Sequence, residues 1–250
     1  MVEPETHSPA HRRWTWWRLL GYSAIAAATY IGSQFLAVVC VVIAMLLSHP
    51  GSDVQAWAPN IESNGFVLSV AICASALGTV PLLRLLAGQV DERPWSFLGF
   101  RPVSVRTMLL SCGAMVIFIV AGDIVGMLLR RPVPPFMIAA YDTARFPVLL
   151  AVALVVAAPF LEELLFRGFL FGGLRACGVP VAVAVVVVSV VFGAIHTQYD
   201  PYDITYVFLM GVLFAGARVR FDSIVPSIAM HSLSNAVALA EVAWSRMHAA

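Results

Sequence analysis

Two glutamates and an arginine lie close together in the otherwise apolar stretch 160–170. On a helix, Glu163 and Arg167 are four residues apart and share a face, so their side chains can form an ion pair. Pairing neutralises both charges where water is scarce. Glu162 is rotated by about 100° from Glu163, and Arg167 reaches it less easily. The spacing therefore predicts one structural carboxylate, Glu163, and one free carboxylate, Glu162, which is suited to act as a general base.

Two further polar pairs follow in apolar surroundings. His196 comes four residues after Phe192, whose ring can shield the site, and Asn235 comes four residues after His231 on the same face. An asparagine can orient an imidazole or donate to a developing oxyanion. A free glutamate, two histidines and an asparagine that converge in a dry cavity would activate water and stabilise a tetrahedral intermediate. The set predicts peptide hydrolysis by acid–base chemistry, with or without a metal.

The composition indicates the elements that must position these residues. The chain is 60% hydrophobic and 12% charged, against about 25% charged in soluble domains. Residues 19–47 contain no Asp, Glu, Lys or Arg, and about 20 such residues span a bilayer as a helix. The sequence therefore predicts an all-α, polytopic transmembrane helix bundle. Seven helices are expected, at Leu19–Leu47, Phe66–Leu86, Thr107–Leu129, Pro147–Leu174, Val179–His196, Ile204–Ala217 and Ile224–Trp244, the sixth being short.

Arginines and tryptophans predict how the bundle is oriented. Arg12, Arg13 and Arg18 precede the first helix, and the 84–106 connection carries four more arginines, so the positive-inside rule places the N-terminus in the cytoplasm. An odd helix count then places the C-terminus outside. The tryptophans at positions 14, 16 and 17 predict an interfacial belt. We expect a polar cytoplasmic tail at 1–18, N-terminal transmembrane helices at 19–146 and a catalytic core at 147–244.

The order of the three polar groups resembles a known family. E-E-x-x-x-R at 162–167, F-x-x-x-H at 192–196 and H-x-x-x-N at 231–235 are similar to the three motifs of the CAAX-processing and bacteriocin-processing (CPBP) intramembrane proteases. The resemblance covers roughly Pro147–Trp244, and the segment Trp95–Arg101 resembles the one upstream of the family core. It implies that Glu162 and His196 activate the water and that His231 and Asn235 form the oxyanion side. Supporting roles fall to Glu163, Arg167 and Phe192.

The implied activity is that of a CAAX-protease-like, glutamate-type intramembrane endopeptidase in a bacterial cell membrane. Its expected partners are membrane lipid and a membrane-associated or lipidated peptide or protein substrate. If a divalent metal such as zinc takes part, its ligands would be Glu162, His196 and His231, although the chain has no H-E-x-x-H motif. The chain has no basic cluster of the kind that would indicate a nucleic-acid partner.

Two alternatives remain open at this point. Polar residues within a membrane also mark ion and substrate pathways, so a non-proteolytic CPBP-like protein, such as an immunity factor, scaffold or transport component, would carry similar residues. An aspartyl intramembrane protease would use Asp123 and Asp142, but their order and the missing glycine fit that class poorly.

The depths of the two histidines present a geometric difficulty. If the fifth and seventh helices run parallel and both span the membrane, His196 lies late in one and His231 early in the other. At 1.5 Å per residue, their depths would differ by roughly 15 Å. A broken or re-entrant helix would resolve this, and the loop at 198–201 is the expected place, because non-helical backbone is tolerated where it lines a wet cavity.

Overall fold

The protein is helical throughout the part of the chain that the structure, a computed structural model, describes: residues 14–48 and 58–248. No strand occurs among these residues. The prediction of an all-α bundle is confirmed. Within these ranges the helices are α1 Trp16–Ser48, α2 Gly65–Gly88, α3 Pro94–Phe97, α4 Val105–Leu128, α5 Pro135–Asp142, α6 Pro147–Ala176, α7 Val181–Ala194, α8 Pro201–Phe221 and α9 Val225–His248, with a 3₁₀ turn at Ala58–Ser63.

Each of the seven predicted apolar segments coincides with one of the long helices. Five of these, α1, α2, α4, α6 and α8, are long and apolar enough to cross a membrane. The protein is therefore an integral membrane protein. Helices are the expected solution because a spanning segment in lipid must satisfy its backbone hydrogen bonds internally.

The prediction of which helix is short was wrong. The sixth long helix, α8, has 21 residues, whereas the fifth, α7, has only 14. At 1.5 Å per residue, α7 covers about 21 Å, less than the roughly 30 Å hydrocarbon core. The hydrophobic run ends at Ile195, where the chain leaves the helix and forms a loop up to Asp200. Non-helical backbone is therefore present next to the expected position 198–201, and its depth in the membrane stays a prediction.

Polar caps mark several helix starts. Asn64 accepts hydrogen bonds from the second and third amides of α2, Ser104 caps α4, and Asp200 caps α8. Such side-chain oxygens satisfy amides that have no partner within the helix. Prolines occupy the first positions of α3, α5, α6 and α8, where the missing N–H costs nothing.

Helix α6 is irregular at two places. It widens into π-helical geometry at Ala153–Ala157 and again at Leu164–Leu170. Pro159 follows the first stretch, and a proline inside a helix removes one backbone donor and crowds the preceding turn. Glu162 and Glu163 lie between the two stretches. π-Helical turns within α-helices occur frequently at functional sites.

The helices pack around α6. Helix α1 lies along α2, α7 lies along α8, and α9 contacts α4, α6 and α8. The side chains of Leu161, Leu164 and Phe169 of α6 are fully buried. Helix α6 therefore presents its polar residues to the bundle interior rather than to lipid.

The N-terminal region matches its prediction only in part. Helix α1 begins at Trp16, three residues earlier than expected, and residues 1–13, including Arg12 and Arg13, lie outside the described ranges. The side chains of Trp16 and Trp17 are exposed, as an interfacial belt requires. Trp14 instead stacks on Phe97 with ring centroids 5.2 Å apart. The cytoplasmic placement of this end stays a prediction, as do the three predicted domain boundaries.

Candidate active site

A buried charged cluster joins α6 to α9. Arg167 Nη1 donates to Glu163 Oε1 at 2.8 Å, and both side chains are fully buried. The same oxygen accepts a hydrogen bond from His231 Nδ1 at 3.0 Å. The predicted pairing of Glu163 with Arg167 is therefore present. The bond to His231 was not predicted, because it depends on how two helices distant in sequence pack.

Arg167 has further partners that explain how its charge is accommodated. Its Nη2 donates to the backbone carbonyl of Gly211 on α8 at 3.1 Å. The guanidinium carbon lies 4.3 Å from the centroid of the Phe192 ring and 5.2 Å from that of Phe214. Cations over aromatic faces are stabilised, most strongly where water is absent. Gly211 allows the close approach, since a Cβ there would lie 3.2 Å from Arg167 Nη2.

Glu162 occupies a different position from its neighbour. Its Oε2 is buried, has no hydrogen-bond partner among the described residues and lies 3.9 Å from Nε2 of His231. Oε2 of Glu163 is also unpaired, but Glu163 is held through Oε1 by Arg167 and His231, whereas no side chain of the described residues donates to Glu162. The side chain retains 16% exposure, against none for Glu163. An unpaired carboxylate in such surroundings is costly for the fold. The prediction of one paired and one free carboxylate agrees with this arrangement.

His231 lies between the two carboxylates. Because Glu163 Oε1 also accepts from Arg167, the carboxylate is an acceptor and His231 Nδ1 carries the proton of their hydrogen bond. The imidazole stacks on Phe214 with ring centroids 5.1 Å apart. These contacts fix the ring so that Nε2 is directed to the Glu162 side.

His196 lies just past the end of α7, and its ring folds back onto its own helix. Its Nδ1 is 2.6 Å from the carbonyl oxygen of Phe192. A carbonyl can only accept, so Nδ1 carries the proton and Nε2 of a neutral ring is left as an acceptor. Among the predicted residues, His196 therefore contacts Phe192 rather than a carboxylate.

The contacts of the Phe192 ring show how His196 and His231 come close together despite their different positions along their helices. Its centroid is 4.8 Å from that of His196 and 5.8 Å from that of His231. A single aromatic ring thus spans the interval between the two histidines, one at the end of α7 and the other in the second turn of α9. Phe192, predicted as a shield, is fully buried in this position.

Asn235 lies on the same face of α9 as His231 but is bonded to α6. Its Nδ2 donates to the carbonyl oxygen of Leu154 at 2.8 Å. Leu154 lies in the first π-helical stretch, where the carbonyl would accept from the amide five residues later. That residue is Pro159, which has no N–H. Asn235 supplies the missing donor, and its second amide hydrogen remains available.

Tyr199 is a neighbour of the site that sequence reasoning missed. Its ring lies parallel to that of His196, at 7° and with centroids 6.2 Å apart, and Phe136 packs against its edge. Burial raises the pKa of Tyr199 to about 12, with further contributions from the negative charges of Asp203 and Glu162. The phenol is therefore neutral at physiological pH. Its only sequence signal was its position three residues after His196.

The described residues do not assemble a three-ligand metal site. No group of three His, Cys, Asp or Glu side chains among them is arranged to hold an ion. Of the predicted ligand set, Glu162 and His231 face each other, while His196 is turned to Phe192. This arrangement does not fit a bound zinc ion.

Comparison with known proteins places the site within a recognised domain. Residues 144–237 match the family model described as "Rce1-like: Type II CAAX prenyl endopeptidase Rce1-like". The three polar motifs all fall within that range, and the resemblance to the CPBP family is confirmed for this segment. No solved structure matches the chain.

One relative in Escherichia coli is named only as an uncharacterized 24.3 kDa protein. It is 28% identical over 124 residues, which are 48% of this chain and 57% of that protein. The chain thus matches little more than half the length of this relative, whose name assigns no activity.

Proposed function

We propose that this membrane protein is an intramembrane endopeptidase, because residues 144–237 match the Rce1-like family model. It hydrolyses a peptide bond of a membrane-associated or lipidated substrate with a water activated by Glu162 and His196. The observation that carries the proposal is the Oε2 atom of Glu162, buried, without a hydrogen-bond partner among the described residues, and 3.9 Å from Nε2 of His231.

The two activating groups are both acceptors. Glu162 presents an unpaired carboxylate oxygen, and His196 presents Nε2 because its Nδ1 proton is held by the Phe192 carbonyl. A water between them would be polarised for attack, as general base catalysis requires. This supports the pairing of Glu162 with His196 in the first step.

The donors are His231 and Asn235. When His231 is protonated at both nitrogens, Nδ1 donates to Glu163 and Nε2 is free to donate to a substrate oxygen. The second amide hydrogen of Asn235 supplies another donor.

The reaction follows from these roles. Glu162 accepts a proton from water as the oxygen forms a bond to the scissile carbonyl carbon. The negative charge that develops on the carbonyl oxygen is stabilised by His231 and Asn235. The intermediate collapses as the C–N bond breaks, and protonated Glu162 returns its proton to the leaving amine. Glu162 ends the cycle ionised, and water has been added across the peptide bond.

The surroundings favour a substrate presented from the membrane. The proposed catalytic residues lie on α6, just past the end of α7 and on α9, packed among helices that can cross a bilayer. A peptide held near the membrane by an apolar segment or lipid group can enter such a site at high local concentration. The location in a bacterial cell membrane remains a prediction.

Comparative proteomics of membrane-associated peptides tests this proposal directly. Cells expressing the wild-type chain are compared with cells expressing Glu162→Gln, and Glu241→Gln, an exposed glutamate of α9, serves as the matched control. We expect truncated products with wild type and Glu241→Gln that are absent with Glu162→Gln. Identical peptide profiles in all three would contradict proteolysis and favour a non-proteolytic membrane protein.

A further inference from the structure

A second polar site lies at one end of the bundle, apart from the active site. A cavity of about 450 Å³ is formed where the connection after α2, the short helix α3, the end of α6, the start of α7 and the end of α8 meet. The same end carries Arg84, Arg106 and Arg220 close to helix termini. This is the end that the arginine distribution predicts to be cytoplasmic.

The cavity has an excess of positive charge. Its lining includes Arg93, Arg101, Arg175 and Arg218 but only two acidic residues, Asp91 and Asp222. The Asp222 carboxylate is shared, since it pairs with Arg101 and also accepts from Arg218 Nη1 at 2.7 Å. One carboxylate thus serves two guanidinium groups. Arg93 and Arg175 are exposed at the rim.

Arg218 is the feature that points to a ligand. Its side chain is 9% exposed, and its Nε has no hydrogen-bond partner among the described residues. A buried charged donor without an acceptor is costly. The backbone makes room for it at Gly99, which has φ +74° and where a Cβ would lie 2.7 Å from that Nε. The fold therefore holds this guanidinium in the cavity wall.

The rest of the lining is mostly apolar and includes two partly exposed valines. Phe97 and Phe171 line the cavity, and Val181 and Val219 contribute side chains that are 37% and 42% exposed. Arginine binds phosphate oxygens through paired N–H donors. Arginine donors beside partly exposed valines at the ends of spanning helices suit a phosphate that carries acyl chains.

We propose that this cavity binds the phosphate headgroup of an anionic phospholipid. Basic pockets between transmembrane helices on the cytoplasmic side are known sites of this kind. The acyl chains would lie along the exposed valines of α7 and α8. The site is separate from the proposed peptidase chemistry, and its occupancy can be measured without any substrate.

The experiment measures lipid binding to the purified full-length chain in detergent by native mass spectrometry. The probes are phosphatidylglycerol, phosphatidylcholine and inorganic phosphate. The double variant Arg93→Gln with Arg175→Gln removes two rim arginines that are not paired with Asp222. Arg84→Gln with Arg220→Gln removes the same charge from exposed positions outside the cavity at the same end.

We expect preferential binding of phosphatidylglycerol, weakened about twenty-five-fold in the rim variant and little changed in the control, because each arginine contributes about a factor of five. The proposal would be overturned if both double variants lost phosphatidylglycerol binding equally. It would also be overturned if phosphatidylcholine or inorganic phosphate bound the wild-type chain as well as phosphatidylglycerol does. A photoactivatable phosphatidylglycerol on the wild-type chain gives an independent answer. Label confined to peptides that contain 93–101 or 175–181 supports the site, and label spread over the surface contradicts it.

Discussion

Oε1 of Glu163 lies 3.0 Å from Nδ1 of His231, and this hydrogen bond joins two helices across 68 positions of sequence. Arg167 donates to the same oxygen at 2.8 Å. The bond sets which nitrogen of His231 is protonated and turns its Nε2 to the Glu162 side. Glu163 is therefore a positioning residue in the proposed site, whereas Glu162 is the carboxylate left for chemistry.

A double-mutant cycle tests this relationship. Glu163→Gln removes the charge, and His231→Phe keeps a ring that can stack on Phe214 but removes both nitrogens. Because each change breaks the same hydrogen bond, we expect the double variant to be less destabilised than the sum of the single ones by about 0.5–3 kcal/mol. The measurement is the free energy of unfolding in mixed micelles. As a control, Glu163→Gln is combined with the distant Glu241→Gln, and the destabilisations of these two variants should add. If the destabilisations of Glu163→Gln and His231→Phe added equally closely, the coupling would be contradicted.

Removing the arginine of the cluster should damage the fold more than altering the free carboxylate. Arg167→Ala strands Glu163, which costs about 3–5 kcal/mol for a buried pair, and it also removes the donor to Gly211. Glu162→Gln preserves size and hydrogen-bonding capacity. We expect a lower folded yield and melting temperature for Arg167→Ala than for Glu162→Gln.

The control for this comparison is Arg175→Ala on the same helix, where the side chain is exposed. Its yield should stay close to that of wild type. If Arg167→Ala and Arg175→Ala gave equal yields and melting temperatures, Arg167 would not be the buried partner that the cluster requires.

The features that the sequence predicted well are those governed by local rules. The charge-free run 19–47 predicted a spanning helix, and i, i+4 spacing predicted the Glu163–Arg167 pair. The bond from Glu163 to His231 follows from packing between α6 and α9, which helix periodicity does not specify. The fifth helix was predicted to end at His196, two residues past the observed end at Ala194, because hydrophobicity places helix ends only to within a few residues.

The partner of Asn235 did leave a signal in the sequence. Pro159 interrupts the fourth apolar segment, and a proline there frees a carbonyl one turn earlier. A polar side chain on a neighbouring helix was needed to satisfy it. Which side chain does so could not be derived from the sequence, because the answer depends on the depth and rotation of α9.

The sign of the pH dependence can be predicted for the stability that the contact between Asp200 and Arg131 contributes. Hydrogen bonding to Arg131 lowers the pKa of Asp200 below its ordinary value of 3.8. A lowered folded-state pKa contributes stability that is present above the unfolded value and is lost as the pH falls through the folded one. We expect Asp200→Asn to melt below wild type at pH 7, with the difference shrinking as the pH falls below the ordinary value of 3.8.

Asparagine is a suitable replacement here because it caps a helix as well as aspartate does, so the cap of α8 is retained. The measurement is the melting temperature in detergent from pH 7 to pH 2.5. A difference that stays constant over this range would show that the charge of Asp200 is not what stabilises the contact with Arg131.

Asn235→Ala should reduce activity without abolishing it. Losing one oxyanion donor costs about 10²–10³ in kcat, and the loss of the bond to the Leu154 carbonyl should also destabilise the fold by about 1–3 kcal/mol. Ser232→Ala, at a half-buried position one turn away, serves as the control. A rise in KM with unchanged kcat would indicate that Asn235 supports binding rather than the oxyanion.

The acid–base pair should act as a unit. Each general acid–base group contributes about 10²–10⁴-fold. Once Glu162→Gln has removed the base, His196 has no proton transfer to assist, so the double variant with His196→Ala should be little worse than either single variant. Losses that multiply in the double variant would mean that the two residues serve separate steps.

The most direct test of the proposed function is peptide release in proteoliposomes that contain the purified chain and a substrate identified by the proteomic comparison. The variants are Glu162→Gln and the control Glu241→Gln, each checked for a melting temperature close to that of wild type. The account predicts release by wild type and Glu241→Gln, and a loss of at least about 10²-fold with folded Glu162→Gln. Full turnover by folded Glu162→Gln would contradict it.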